Sequence, residues 1–234
     1  MESRLTLHYA PDNASLIVRL ALEELDLPYQ TALVDRATQA QKSPQYLQIN
    51  PAGLIPALET PDGVIFETAA ILLWLADRAA KLAPSPLSAD RAPFLKWLFY
   101  TSNTLHTNLR MSFYPDQYVG DAPDAQKALR QGARGNILHA LRLLDDVAAQ
   151  SPAWFNGETI SVLDIYVITT IRWMALYPVN DTAWFDLSAF PALCALCQRI
   201  ETRNSVKAAQ TAEGLGPTPF TSPRLPNPPE GSAL

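Results

Sequence analysis

The chain has 234 residues, which suits one large domain or two small ones, and its 48% hydrophobic and 18% charged residues are ordinary for a globular protein. A formal net charge of −5, with no cluster of Lys and Arg, argues against a nucleic-acid-binding surface. There is no apolar leader after Met1, no apolar run of the roughly 20 residues that span a bilayer, and no disulfide framework in two cysteines, so we expect a cytoplasmic protein without a membrane partner.

The first 80 residues alternate strand and helix patterns. Strands are predicted at 5–9 and 29–34, and the apolar stripe of an amphipathic helix lies between them at 15–25. Two strands joined by such a crossover are normally parallel. A short helix at 43–47, a hairpin around Pro61-Asp62-Gly63 and a helix at 68–80 follow. This order, β-α-β-α-β-β-α, is the thioredoxin-like arrangement.

The stretch from Asn50 to Leu58 predicts a turn that leads into a buried strand. Pro56 cannot donate a ladder hydrogen bond and therefore belongs at the start of the strand, where an X-Pro bond is also the common site of a cis peptide. A cis bond there would turn the main-chain N–H and C=O of Ile55 outward. Glu67 and Thr68 begin the next helix, whose N-terminus favours anions. The stretch therefore predicts a site for a small peptide with an acidic end.

Residues 81–88 contain Pro84 and Pro86 and are predicted to be a linker, so that residues 1–80 form an α/β domain. Residues 89–215 are helical in pattern and predict an all-α domain, with its buried centre in a helix that begins at Ser161 and Asp164 as a capping box. The pair Cys194 and Cys197 lies in a late apolar helix and is interpreted as packing, with no metal site.

The last segment, 216–234, is rich in proline, and composition alone predicts disorder. If it is ordered, it must pack across the groove between the two domains or on a second subunit.

Several motifs, in this order and spacing, resemble the cytosolic glutathione transferase superfamily, most closely its bacterial beta class. The resemblance covers nearly the whole chain as far as Leu215. It is carried by the stretches 50–58, 66–71, 104–106, 157–164 and 203–215. It implies glutathione as co-substrate with no bound cofactor, a homodimer, a glutathione site on the first domain and an electrophile site facing the second.

The resemblance also implies roles for individual residues of the glutathione site. Ile55, next to Leu54, matches the position whose main chain pairs with the cysteinyl unit, and Pro56 matches the family's cis-proline. Glu67 and Thr68 match the positions that hold the γ-glutamyl end, where a carboxylate suits the ammonium and a hydroxyl at a helix N-terminus suits the carboxylate. A further match, in a variable loop, is Lys42, where family members place a basic side chain for the glycyl carboxylate.

The sequence departs from the beta class at the catalytic position, because Ala14 stands where that class has cysteine. The remaining candidates for activating the glutathione thiol are Ser15, Asn13 and Tyr9. Each also has a structural interpretation: Ser15 as a helix N-cap, Asn13 as a turn residue and Tyr9 as packing. Ser15 and Asn13 are equally favoured, because either could hydrogen-bond a thiolate near a helix N-terminus.

Three further residues are expected at the electrophile site: His106, which beta-class proteins also carry there, and the aromatic residues Phe113 and Tyr114. The predicted function is conjugation of the glutathione thiolate to small apolar electrophiles. Two alternatives remain open. One is a glutathione- or hydrophobe-binding protein with little catalysis. The other is a glutathione-dependent thiol–disulfide reductase, which the missing cysteine disfavours.

Overall fold

The computed structural model describes residues 5–233, and its N-terminal part is a four-stranded mixed sheet flanked by helices. The elements are β1 (Leu5–Tyr9), α1 (Ser15–Glu24), β2 (Tyr29–Leu33), a 3₁₀ turn (Ala40–Lys42), α2 (Pro44–Ile49), β3 (Ala57–Thr60), β4 (Gly63–Phe66) and α3 (Thr68–Ala79). The strand order is β2-β1-β3-β4, in which only the β1–β2 pair is parallel. The predicted thioredoxin-like order of elements is confirmed.

The remainder of the chain is helical, as predicted, and packs against the sheet domain. Its elements are α4 (Arg91–Tyr100), α5 (Thr107–Phe113), α6 (Asp116–Val119), α7 (Pro123–Ala149), α8 (Val162–Leu176), a 3₁₀ turn (Leu187–Ala189), α9 (Pro191–Glu201) and α10 (Asn204–Glu213). Helices α4 and α5 are continuous through a π-helical segment, Thr101–His106, and π-helical turns often occur at functional sites. No helix among residues 5–233 is long and apolar enough to cross a membrane.

Helix α8 forms the buried centre of the helical part, and its start is fixed locally. The Ser161 hydroxyl accepts a hydrogen bond from the Asp164 N–H at 3.2 Å, and the Asp164 carboxylate accepts one from the Ser161 N–H at 2.7 Å. This is the predicted capping box. Burial raises the pKa of Asp164 to about 6, although the backbone N–H groups of Asn156 and Ser161 oppose that shift.

The proline-rich C-terminal segment is ordered along its described length, so the prediction of disorder from composition is wrong for residues 216–233, which we call the C-terminal strap. Phe220 is buried, and its N–H donates to the Glu201 carboxylate at 2.8 Å. The strap then folds back, and Asn227 N–H donates to the Gly214 carbonyl at 2.9 Å. A Cβ at Gly214 would lie 2.0 Å from the Asn227 oxygen, so only glycine permits this approach.

A buried ion pair joins the two parts of the molecule. The Asp12 carboxylate, in the loop after β1, accepts from Arg172 Nε at 2.8 Å and from Nη2 at 3.0 Å, and both side chains are 0% exposed. Trp173 Nε1 and the Tyr177 hydroxyl also donate to Asp12, at 3.1 and 2.7 Å. Arg172 also donates to two carbonyl oxygens of the strap, that of Pro219 through Nη1 and that of Arg224 through Nη2. One guanidinium thus fixes the β1–α1 loop and the strap to α8.

Replacing Asp12 by Ala should lower the free energy of unfolding by about 3–5 kcal/mol, because the Arg172 charge would stay buried without its anion. The matched control is Asp181→Ala, since Asp181 also accepts two hydrogen bonds from one guanidinium, that of Arg134, but its side chain is 51% exposed. That control should cost less than about 1 kcal/mol. Urea denaturation measures both, and equal losses would contradict a special role for the buried pair.

Candidate functional site

The turn before β3 holds one main-chain segment open. The Leu54 carbonyl accepts from the Tyr46 hydroxyl and from Asn50 Nδ2, each at 2.7 Å, so its direction is fixed. The Ile55–Pro56 peptide bond is cis, as predicted. Within residues 5–233 the main-chain N–H and C=O of Ile55 have no hydrogen-bond partner. An extended peptide can therefore pair with Ile55.

Two polar side chains lie unpaired at the start of α3. Glu67 has φ 72° and ψ 114°, a sparsely populated conformation for a residue with a side chain, and such backbone strain is concentrated at functional sites. Its carboxylate is exposed, while Thr68, the first residue of α3, is buried. Neither side chain has a hydrogen-bond partner in the described part of the chain. The pair can therefore receive both a cationic and an anionic group.

His106 belongs to an aromatic cluster in the helical part of the molecule. Its Nδ1 lies 2.8 Å from the Tyr166 hydroxyl, and its ring centroid lies 5.4 Å from that of Trp173. Burial lowers the pKa of His106 to about 4, and the Arg110 charge adds to this, so the imidazole is neutral at pH 7. Burial raises the pKa of Tyr166, and the Glu67 charge raises it further.

The two leading candidates for thiol activation, Ser15 and Asn13, differ in their hydrogen bonds within the β1–α1 loop. Ser15 is 0% exposed, and its hydroxyl donates to the Ala10 carbonyl at 3.0 Å and accepts from the Ala10 N–H at 3.2 Å. Ala14 is the N-cap of α1, so the structural interpretation of Ser15 as N-cap is wrong, because its side chain closes the loop instead. Asn13 is half-buried, and its Nδ2 has no partner among residues 5–233. Asn13 alone of these two has a free donor.

Tyr9, the third candidate, is engaged elsewhere. It is 2% exposed, and its hydroxyl donates to the carboxylate of Glu230 in the strap. Burial raises the pKa of Tyr9, and the hydrogen bond and charge of Glu230 raise it further. The hydroxyl therefore stays protonated and directed at the strap.

The other predicted residues lie on two further segments of the chain. Lys42 is exposed at the end of its 3₁₀ turn. Phe113 and Tyr114 are half-buried at the end of α5, where the Phe113 ring lies 6.3 Å from that of Tyr177. The Tyr114 hydroxyl accepts a hydrogen bond from Arg36 at 2.8 Å.

Comparison with known proteins assigns this arrangement to a family. Residues 14–78 match the N-terminal domain model of glutathione S-transferases, and residues 127–199 match the C-terminal domain model. Glutathione S-transferase GST-4.5 of Xanthomonas campestris is 32% identical over 89% of this chain and 98% of its own length. The chain belongs to the glutathione S-transferase family. The prediction that it is a glutathione transferase is confirmed at that level.

Other similar proteins extend the comparison. The disulfide-bond oxidoreductase YfcG of Escherichia coli is 30% identical over 90% of this chain and 96% of its own. The beta-class glutathione S-transferase of Sphingomonas chungbukensis is 32% identical, with a TM-score of 0.72 over 89% of this chain and 98% of its own. A sphingomonad glutathione S-transferase complexed with glutathione is 30% identical, with a TM-score of 0.73 over 90% and 100%. These solved structures confirm the predicted likeness to the bacterial beta class.

Several buried charged residues that fix the loop after β1 were not predicted from the sequence. Besides the Asp12–Arg172 pair, the buried Glu213 carboxylate accepts from the Asp12 N–H at 2.8 Å and from Arg19 Nε at 2.7 Å. Burial raises the pKa of Glu213 to about 6, and Arg19 opposes that shift. A signal existed for Arg172, because it and Asp164 are the only charged residues in the apolar helix α8. Such a charge needs a buried partner.

The neutral imidazole of His106 predicts a pH-dependent contribution to stability. Its pKa is about 4 when folded and 6.5 in the reference state, so the folded protein binds fewer protons at this site. The contribution is therefore complete above pH ~6.5 and is lost as the pH falls towards ~4. We expect the free energy of unfolding of the native chain, minus that of His106→Gln, to fall by about 3 kcal/mol between pH ~7 and pH ~4.

Urea denaturation at each pH measures this difference. Other groups, such as Asp164 and Glu213, are common to both chains and cancel. A difference that stays constant over this range would contradict a lowered pKa of His106 in the folded protein.

Proposed function

We propose that this transferase binds glutathione and activates its thiol for attack on an electrophilic carbon of small apolar molecules. The proposal rests above all on the unpaired Glu67 and Thr68 side chains at a strained helix start, beside the open main chain of Ile55. A γ-glutamyl group has one ammonium and one carboxylate, and a cysteinyl unit has one N–H and one C=O. The donors and acceptors of the cleft complement all four.

The binding mode follows from these complements. The Ile55 main chain pairs with the cysteinyl unit, next to Leu54 and Pro56. Glu67 receives the ammonium, while the Thr68 hydroxyl and the N-terminus of α3 receive the α-carboxylate. Lys42, which is exposed, receives the glycyl carboxylate.

Asn13 is the proposed activator of the thiol. A hydrogen bond from its free Nδ2, together with the nearby N-terminus of α1, favours the thiolate over the thiol. The thiolate sulfur then forms a bond to the electrophilic carbon while the leaving group departs with its electron pair, and the thiol proton goes to solvent. His106, Phe113 and Tyr114 line the side on which the electrophile enters. Catalysis comes from positioning and nucleophile activation, with no covalent enzyme intermediate.

A second candidate function is glutathione-dependent disulfide reduction, which the similarity to a disulfide-bond oxidoreductase favours. The glutathione thiolate would attack one sulfur of a disulfide and release the other as a thiolate. A second glutathione would then attack the mixed disulfide, giving oxidised glutathione and the second substrate thiol. Neither step needs an enzyme cysteine, so Ala14 is compatible with this chemistry.

Turnover at saturating glutathione separates these functions. An aryl halide conjugated faster than in buffer supports the transferase reaction, whereas reduction of a small disulfide alone supports the second candidate. Glutathione binding with neither reaction would favour a binding protein with little catalysis. No glutathione binding would contradict all three.

We also propose a homodimer. Val64, Phe66 and Phe99 are 42%, 36% and 45% exposed, a set of apolar side chains that a second copy would cover. A monomeric mass by light scattering would contradict this.

Replacing Glu67 by Gln should weaken glutathione binding about tenfold, because a neutral amide cannot pair with the ammonium. Isothermal calorimetry with a glutathione analogue lacking that ammonium gives the sharper result: Glu67→Gln should not weaken the analogue further. Glu158→Gln, which changes an exposed carboxylate elsewhere, is the control. Equal effects on glutathione and the analogue would mean that Glu67 does not bind the ammonium.

Asn13→Ala should raise the pKa of the bound glutathione thiol by about one unit, because the thiolate loses a donor. Ser15→Ala should leave that pKa unchanged and instead lower the free energy of unfolding by about 1–2 kcal/mol, since the Ala10 groups lose their partner. The ultraviolet absorbance of the thiolate against pH reports the first effect, and denaturation the second. If Ser15→Ala raised the thiol pKa and Asn13→Ala left it unchanged, Ser15 and not Asn13 would be the activator.

A further inference from the structure

The C-terminal strap ends against the loop that holds the proposed thiol activator. Glu230 accepts the hydrogen bond of the Tyr9 hydroxyl at the end of β1. A Cβ at Gly231 would lie 2.6 Å from Leu33 and 3.3 Å from Pro11, and its φ is 72°, so glycine allows the strap to lie directly on these residues. Pro11 is two residues before Asn13 in the chain. The strap therefore covers one side of the β1–α1 loop.

The same end of the strap reaches the predicted electrophile site. Arg36 donates to the Ala233 carbonyl through Nη1 and to the Tyr114 hydroxyl through Nη2. The strap and Tyr114 are thus held by one guanidinium. Tyr177 lies next to them, because the Phe113 ring contacts it and its hydroxyl donates to Asp12.

Between Tyr177 and the strap there is a cavity of about 210 Å³, lined mainly by Tyr177, Leu225, Pro226, Pro228 and Gly231. For comparison, an apolar protein cavity of about 150 Å³ accepts benzene, whereas drug-sized ligands occupy about 300–1,000 Å³. The cavity therefore has room for one small ring.

Both family models end well before the strap begins, at residues 78 and 199. The match to the Xanthomonas relative covers 98% of that protein but 89% of this chain, so part of this chain has no counterpart in it. The strap therefore lies outside the regions that define the family.

We propose that the end of the strap, residues 230–233, forms a wall of the electrophile site and restricts it to electrophiles with a single small ring. This rests on the proposed function, since it assumes that glutathione occupies the cleft. Glu230 is the positioning residue, because its bond to Tyr9 holds the wall in place. The wall leaves Ile55, Glu67 and Thr68 available for glutathione.

Binding of S-substituted glutathiones tests the wall without requiring turnover. Calorimetry would compare glutathione, S-benzylglutathione and S-(1-naphthylmethyl)glutathione on the full chain and on a chain that ends at Pro229. We expect the full chain to bind the naphthylmethyl conjugate about tenfold more weakly than the benzyl conjugate, and the shortened chain to bind both within about twofold. Glutathione itself should bind both chains within about twofold.

Glu230→Ala provides a second variant that keeps the strap, with Glu158→Ala as its matched control. It should reduce the ratio of the affinities for the benzyl and naphthylmethyl conjugates about threefold. If the shortened chain does not fold, this variant alone tests whether the strap limits the size of the electrophile. If both variants bind glutathione and still bind the naphthylmethyl conjugate about tenfold more weakly than the benzyl conjugate, the strap does not form a wall of the electrophile site. The proposed function would be unaffected by that result. A folded full chain that binds no glutathione would overturn both.

Discussion

The buried pair of Asp12 and Arg172 is the interaction on which the arrangement of the cleft depends. Two opposite charges without solvent exposure are stable only when every remaining hydrogen-bonding group is satisfied. Here Trp173 and Tyr177 also donate to Asp12, and two strap carbonyls accept from Arg172. The sheet domain, the central helix and the C-terminal strap are therefore fixed by a single set of mutually dependent bonds.

This constraint explains the different positions of the neighbouring polar residues. With Asp12 directed inward at φ 49°, the loop turns sharply, and Ser15 is used to close it on Ala10. Asn13, between the buried pair and the helix start, keeps a free amide group. The buried pair fixes the inner side of the β1–α1 loop, so the Asn13 amide proposed to activate the thiol is held in place before glutathione binds. A donor that is already in place can stabilise a thiolate without a cost for rearranging the protein. The absence of a cysteine at position 14 is then compatible with catalysis, because in the proposed reaction the reactive sulfur belongs to glutathione.

The sequence was sufficient for features decided by neighbouring residues. The cis bond at Pro56, the capping box of Ser161 and Asp164, and the order of strands and helices all follow from local rules. The pairing of Asp12 with Arg172 was missed because they lie 160 residues apart, and although a charge in the apolar helix α8 calls for a buried partner, nothing local says which residue that partner is. What the strap packs against could not be read from the sequence, since proline-rich composition alone predicts disorder and the strap's anchors, Phe220 and Arg172, act through distant contacts. The roles of Ser15 and Asn13 could be separated only when their hydrogen bonds were known.

The central claim is that this chain activates glutathione without an enzyme cysteine, and the pKa of the thiol in the bound complex tests it most directly. A free thiol titrates near pH ~8.5. Ultraviolet titration of the native chain saturated with glutathione should give a thiol pKa lower by about one to two units, so that the sulfur is mostly ionised at neutral pH. A bound thiol that titrates as it does in water would contradict the account.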